Sequence, residues 1–504
     1  MINKHNSPKI VFNRFDLINI TIFIFLSLYV LLNSYFFNYG ISPDSAYYLR
    51  AAQSILNGNW FYIDKLAGDD KSWFNLWPIG YPVLIAIVAF ITKVDVYLAS
   101  KILSIIIIFF ILLIFKLRFN EYAWLFALSL INDSFLKIFF FTWSEQPFLL
   151  GLLWFGISVY DVLNEKSLNK LNYVNLLLSM IFLFLMRYIG FFSCCVLFII
   201  LLFIILFKIY DFNNKNKIFH LIIINFIFLI FFLLYLFNNK IHSKTFMGER
   251  YPAEHFTIIF NNLIITLKEQ FYVITISFFG IFVIFITIDF IFSYFKNKKY
   301  IILSKNSLFF KMSFVFFVIA IFYFLFITYS RFRIRFDDFN FRFLYPFSYT
   351  INISLIIFFI ENQVNLLFKI NKKYNLIGII IICMVISFYI INNINRETGY
   401  REIKKITLQK YSEISSGSAV LWMDKLAFFL RPDLINIYKR RLKNKNIFFD
   451  DIINSLDNKN IFIDIDELKS NIKIKRIAIH DNFFVNSKFL RDDFEKLQGI
   501  YKIK

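Results

Sequence analysis

The chain has 504 residues, 59% of them apolar and 18% charged, with a mean hydropathy of +0.62 and a formal net charge of +21. Soluble domains carry about 45–50% apolar and about 25% charged residues, so this chain holds more apolar surface than a water-exposed fold can cover. Three cysteines, Cys194, Cys195 and Cys383, all inside apolar runs, exclude a disulfide scaffold. The basic balance is read as loop charge that orients a membrane protein, with no nucleic-acid partner.

A spanning helix needs roughly 20 mainly apolar residues. Residues 1–16 are read as a cytoplasmic N-terminus, because Lys4, Lys9 and Arg14 precede an apolar run over 17–37 that is too long for a signal-peptide core. The segment 38–97 reads SPDSAYYLRAAQSILNGNW from Ser42 to Trp60. Ser42 suits an N-cap, Pro43 the first helical position and Gly58 a C-terminal stop, which predicts a helix of about 14 residues. Asp44 falls in its first turn, where the helix dipole alone favours a carboxylate. At a membrane face it is also a candidate general base, with Tyr47, Tyr48 and Ala51 on its side of the helix. WPIGYPVL, residues 77–84, then resets the chain before a short apolar run over 79–92, which is expected as an interfacial or re-entrant helix.

Further spans are predicted over 98–116, 121–139, 146–162, 172–187, 188–208, 218–237, 270–293, 310–329, 343–361 and 375–392. WSEQP (143–147) puts Glu145 at a span end, and membrane-edge carboxylates are functional candidates. MRYIGFF (186–192) puts Arg187 in a turn between two runs, where it can also snorkel to the interface. FMGERYP (246–252) holds Gly248 and Arg250 beside His255. RFRIRFDDFNFRFLYPF (331–347) offers Arg331, Arg333, Arg335, Asp337, Asp338 and Arg342, a set that suits a phosphate-bearing partner or internal pairing.

Basic clusters at Lys208, Lys215 and Lys217, at Lys296, Lys298, Lys299, Lys305 and Lys311, and at Lys369, Lys372 and Lys373 are assigned to the cytoplasm. Eleven crossings then put 38–97, 140–145, the 187/188 turn, 238–269, 330–342 and everything after about 393 outside. The tail holds 22 Lys and Arg against 15 Asp and Glu and carries short apolar runs at 418–423, 460–465 and 473–480, which predicts a small α/β domain. The fold class is thus an α-helical polytopic membrane protein of about 11 spans, 12 or 13 if ambiguous runs also cross. Its transmembrane domain covers 17–392, with amphipathic helices of the first loop at the outer face, and a C-terminal extracytoplasmic α/β domain covers 393–504.

That orientation gathers Asp44, Glu145, Arg187, Arg250, Asp337 and Arg342 on one face, the combination a lipid-phosphate substrate needs. In order and spacing, from about residue 17 to 430, the motifs resemble those of the GT-C superfamily of multi-spanning glycosyltransferases, particularly the bacterial branch similar to protein O-mannosyltransferases and aminoarabinose transferases. The resemblance rests on Asp44, Tyr47, Tyr48 and Gly58; on Pro78 to Pro82; on Ser144 and Glu145; on Arg187 to Gly190; on Gly248 and Arg250; and on Asp338, Arg342, Leu344 and Pro346.

It implies a sugar donor on a polyprenyl phosphate and transfer to a glycan, lipid or protein acceptor at the outer face of the bacterial cytoplasmic membrane. It also implies a catalytic carboxylate, which maps onto Asp44; Glu145 is the second catalytic candidate. Arg187, Arg250, Arg342, Asp338, Tyr47, Tyr48 and Tyr81 are the expected substrate and phosphate contacts. Many relatives carry two adjacent acids in the first loop, whereas here Ser45 follows Asp44, which weakens the case for a divalent metal; no other cofactor is called for. The expected chemistry is inverting transfer. A surface-polysaccharide polymerase or ligase would use the same lipid-linked substrates, and a transporter would favour internal repeats and mid-span polar groups, which this sequence does not display.

Overall fold

The computed structural model describes residues 16–37, 40–64, 71–164, 169–207, 215–248, 251–276, 312–335, 339–361, 400–415, 419–421, 430, 435–437, 461–464 and 500–502. The predicted span at 375–392, the apolar run at 473–480, and Arg250, Asp337 and Asp338 lie outside them. The described chain is mostly helical. Among the described residues six helical segments are long and apolar enough to cross a membrane: Asp16–Phe36, Val96–Ser129, Glu145–Asn164, Lys217–Ser243, Met312–Arg333 and Phe341–Phe358.

The chain divides into two compact units. The first comprises Met1–Leu31, Asn75–Tyr81 and Lys101–Ile394. Its helices are α1 (Asp16–Leu32), most of α4 (Val96–Phe119), α5 (Ala123–Ser129), α6 (Asp133–Phe140), α7 (Glu145–Asn164), α8 (Lys170–Met186), α9 (Phe192–Phe207), α10 (Lys215–Ser243), α11 (Phe256–Ile276), α12 (Met312–Arg333) and α13 (Phe341–Glu361). Within this unit α7 lies along α8, and α12 along α13. Lys116 at the end of α4 meets Asp16 at the start of α1, 2.7 Å apart, and Phe23 packs edge-on to Phe109.

Two expectations are corrected here. The run at 121–139 is not one helix but two, of 7 and 8 residues. The chain breaks at Leu130–Asn132, where the Asn132 side chain caps α6 by accepting from the Phe135 amide at 2.9 Å. At the far end of α6 the last carbonyls are answered by side chains, as an apolar medium requires. Gln146 donates to the carbonyls of Ile138 (3.0 Å) and Phe141 (2.6 Å) and accepts from Ser104 (2.8 Å), while buried Lys101 donates to the Phe140 carbonyl and, at 3.3 Å, to Thr142.

The segment 238–269, expected as a loop, is largely helical: α10 runs on to Ser243 and α11 begins at Phe256, so only 244–255 connects them. Polar residues of α11 turn inward: Thr266 donates to the Phe339 carbonyl at 3.0 Å, and Gln270 bonds Ser134 and Ser348 at 3.2 and 3.1 Å.

The second unit comprises Leu32–Phe74, Pro82–Ser100 and Asn395–Lys504. Within it α2 (Pro43–Leu56) is followed by an antiparallel hairpin of β1 (Tyr62–Asp64) and β2 (Lys71–Trp73). The short apolar run forms α3 (Gly80–Thr92). Thirteen residues rise about 20 Å, well short of a roughly 30 Å hydrocarbon core. The Tyr97 hydroxyl at the start of α4 donates to the Ser34 carbonyl at 3.3 Å, so the chain leaves the end of α1 and returns beside it. In the tail, α14 (Tyr400–Lys410) precedes four strands, β5 (Ala419–Leu421), β6 (Ile435–Ile437), β7 (Ile461–Asp464) and β8 (Ile500–Lys502). They form one sheet ordered β6-β5-β7-β8, parallel except for β8, and the predicted runs at 418–423 and 460–465 supply its two central strands.

Candidate functional site

Glu145 opens α7 and is fully buried. Arg187 follows the end of α8 in extended backbone (φ −151°, ψ 137°), because the next four residues turn into a short 3-10 segment that cannot continue α8. Arg342 lies in the first turn of α13. The Nη1 of Arg187 and the Nε of Arg342 both donate to the same Glu145 oxygen, Oε1. The other oxygen, Oε2, is buried and has no hydrogen-bond partner among the described residues.

Two guanidiniums thus share one carboxylate, and the formal charge of the trio is +1. Aromatic faces complete the setting: Arg342 lies 4.5 Å from the Trp143 ring centre, and both arginines lie 5.5 Å from that of Phe343. Buried charges persist only when paired and hydrogen-bonded, and desolvation strengthens what they do to an incoming anion.

The other motifs of this unit converge nearby in the fold. The segment Asn75–Tyr81 is fastened to the ends of α8 and α10. Asn75 donates to Ser243 (2.6 Å) and Thr245 (2.8 Å), the Tyr188 hydroxyl donates to the Asn75 carbonyl (2.8 Å), and Tyr235 accepts from the Ile79 amide (3.1 Å). Gly80 is required by this approach, since a Cβ there would lie 2.6 Å from the Leu185 carbonyl oxygen. Gly248, at φ +71°, faces the Leu76 backbone in the same way, and its conformation favours glycine.

Past Gly248 the chain forms β3 (Tyr251–Pro252), which pairs antiparallel with β4 (Ile334–Arg335) after α12. Arg331, expected in a loop beyond the span, is a buried residue of α12 and pairs with Glu254 at 2.8 Å. Tyr81 is fully buried.

Asp44 belongs to the second unit. The predicted helix forms over Pro43–Leu56, with Ser42 as its N-cap accepting from the Ser45 amide at 3.1 Å. Ser45, which follows Asp44, is buried with its hydroxyl 2.9 Å from that of Ser42. Asp44 and Tyr47 are half-buried, whereas Tyr48 is fully buried with its ring 6.4 Å from that of Phe74. Among the described residues no group of three His, Cys, Asp or Glu side chains could hold a metal ion.

Sequence reasoning missed the supporting residues Trp143, Phe343, Asn75, Tyr188 and Tyr235. Trp143, Tyr188 and Phe343 lie inside quoted motifs whose charged residues drew the attention, and Asn75 lies two residues before another. Tyr235 sits inside an apolar run, where no local pattern marks a residue that holds a distant amide.

No protein-family model and no curated protein sequence matches the chain. The fold does match solved structures. ArnT from Cupriavidus metallidurans in the apo state superposes with a TM-score of 0.55 at 11% identity, over 90% of this chain and 94% of that one. The same protein bound to undecaprenyl phosphate gives 0.53 at 10% identity, over 91% and 95%. The archaeal oligosaccharyltransferase AglB from Archaeoglobus fulgidus, in complex with an inhibitory peptide and a dolichol-phosphate, gives 0.51 at 11% identity, over 92% and 71%. These neighbours are GT-C glycosyltransferases, and this chain has the GT-C fold.

Proposed function

We propose that this protein is a glycosyltransferase that moves a sugar from a polyprenyl-phosphate donor to an acceptor hydroxyl at the outer face of the bacterial cytoplasmic membrane. One observation carries the reading. At the joined ends of α7, α8 and α13, two arginines share one buried carboxylate and keep a net positive charge in a dry setting. Guanidinium forks suit phosphate oxygens. Undecaprenyl phosphate and dolichol-phosphate are bound in two solved structures of this fold, which supports the same class of lipid here.

In the proposed mechanism the acceptor hydroxyl gives its proton to the Asp44 carboxylate while its oxygen attacks the anomeric carbon. The bond from that carbon to the phosphate oxygen breaks, and its electron pair leaves with the lipid phosphate, whose charge Arg342 and Arg187 receive. A single displacement inverts the anomeric configuration. Glu145 holds the two guanidiniums in place, and Tyr47 flanks the acceptor side of Asp44. Arg250 and Asp338 extend the substrate contacts, and Tyr48 and Tyr81 act from buried positions as supports.

The orientation fits this chemistry. Asp16, Lys116, Arg118 and Asp161 pair at one end of α1, α4 and α7, while Glu145, Arg187 and Arg342 meet at the opposite end of α7. With the basic loops cytoplasmic, the arginine end is extracytoplasmic, as are residues 38–97 and the domain over 393–504, and the N-terminus is cytoplasmic. The acceptor is a glycan, a lipid or a protein.

The test is transfer of labelled sugar from a synthetic polyprenyl-phosphate donor by the protein in liposomes, with product stereochemistry read by NMR. Inverted product that disappears in Asp44→Asn is expected. Joining of preassembled oligosaccharides instead would assign a polymerase or ligase, and solute uptake without transfer would overturn the enzyme reading.

A further inference from the structure

Within the unit that carries Asp44, the tail helix α14 is fastened through a cluster centred on Asp95. One oxygen of Asp95, Oδ1, accepts from the Leu98 amide at 3.0 Å and so caps α4. The other, Oδ2, receives Lys404 of α14 at 2.7 Å. Lys404 also lies 5.5 Å from the ring centre of Tyr400, the first residue of α14. The Tyr400 ring stacks on Tyr97 with centroids 3.9 Å apart and planes inclined by 26°. Its phenol is buried, and burial first, then the Asp95 carboxylate, raises its pKa far above the ordinary tyrosine value. Tyr97 in turn holds the Ser34 carbonyl through its hydroxyl. From Ser34 the chain needs only ten residues to reach Asp44.

We propose that α14 is a clasp and that Lys404, Asp95, Tyr400 and Tyr97 are positioning residues: they fix the end of the first helix and thereby the entry of the chain into the helix that bears Asp44. The tail then has a task in the reaction, as the far half of a brace on the first loop. This inference rests on the reading of Asp44 as base. The clasp couples an aromatic stack to an ion pair with side chains about a quarter to a third exposed, and such a pair contributes at most about 1 kcal/mol, or about fivefold in an equilibrium. It biases the loop and is weak enough to be broken without unfolding the chain.

The experiment uses the full chain with its three cysteines replaced by alanine and Ser34→Cys as a reporter, since Ser34 is buried. Labelling by a membrane-impermeant maleimide in liposomes is compared for the parent, Lys404→Ala, Lys404→Arg and Tyr400→Ala. Labelling about fivefold faster in Lys404→Ala, faster still in Tyr400→Ala, and near the parent rate in Lys404→Arg is expected. In transfer assays Lys404→Ala should lower kcat by about fivefold, leave KM for the lipid donor unchanged, and be rescued by Lys404→Arg. Unchanged labelling in both alanine variants would overturn the clasp. Faster labelling with unchanged kcat would overturn its role in positioning. If Asp44→Asn retains transfer, the base assignment falls, and the labelling series still decides the clasp by itself.

Discussion

Glu145 and Asp44 are both acids in the first turn of a helix, yet the two units hold them differently. Glu145 is sealed from solvent and bound to two guanidiniums; Asp44 is half-buried at the head of a capped helix. The difference separates two tasks. A carboxylate that organises cations works best where water cannot compete, because the arginines are then held in one geometry and their charge is undiluted. A carboxylate that accepts a proton must stay within reach of a hydroxyl that comes and goes. In the proposed mechanism the unit with Glu145 holds the lipid phosphate and the unit with Asp44 supplies the base.

Substitutions that keep shape and remove charge break this contrast most sharply. Asp44→Asn should lower transfer by about 10²–10⁴-fold while destabilising the purified protein by no more than about 1 kcal/mol. Glu145→Ala should act in the opposite sense. It strands two buried guanidiniums at a cost of about 3–5 kcal/mol, which a lowered unfolding midpoint and poor recovery from detergent would register before any assay of turnover. If both variants lost activity at full stability, the division of labour would be wrong.

Arg342→Lys sharpens the picture at a smaller scale. It keeps the charge but loses the fork and the face-on contact with Trp143, so KM for the lipid donor should rise about tenfold with little change in kcat. Smallest is Ser42→Ala, which removes the cap of the Asp44 helix. A cost of about 1 kcal/mol, seen as a drop in transfer of no more than about fivefold, is expected, with donor binding by isothermal titration unchanged.

The two units also differ in how far the sequence reveals them. Ser42, Pro43 and Gly58 announce α2 to the residue, because capping is a local matter of the next three amides. Each member of the arginine site was marked as a polar residue at a span end, but the bonds that unite them join residues 42 and 197 positions apart, and no local pattern encodes such a pairing. The break at Leu130–Asn132 was hidden because the apolar run continues through it and a single Asn supplies the cap.

The early start of α11 was hidden because polar residues interrupt its apolar pattern, and their partners, Phe339, Ser134 and Ser348, are distant in sequence. Hydropathy is a weak guide where buried polar groups do structural work. The attachment of α14 to Asp95 lies beyond any sequence pattern, since more than 300 positions separate the partners.

Binding of a polyprenyl phosphate to the purified protein tests the arginine site most directly. Affinity measured for the parent chain, Arg187→Gln, Arg342→Gln and Asp44→Asn should fall by about tenfold or more in each arginine variant and stay at the parent value in Asp44→Asn. Equal affinity across all four would contradict the assignment of Arg187 and Arg342 to the lipid phosphate.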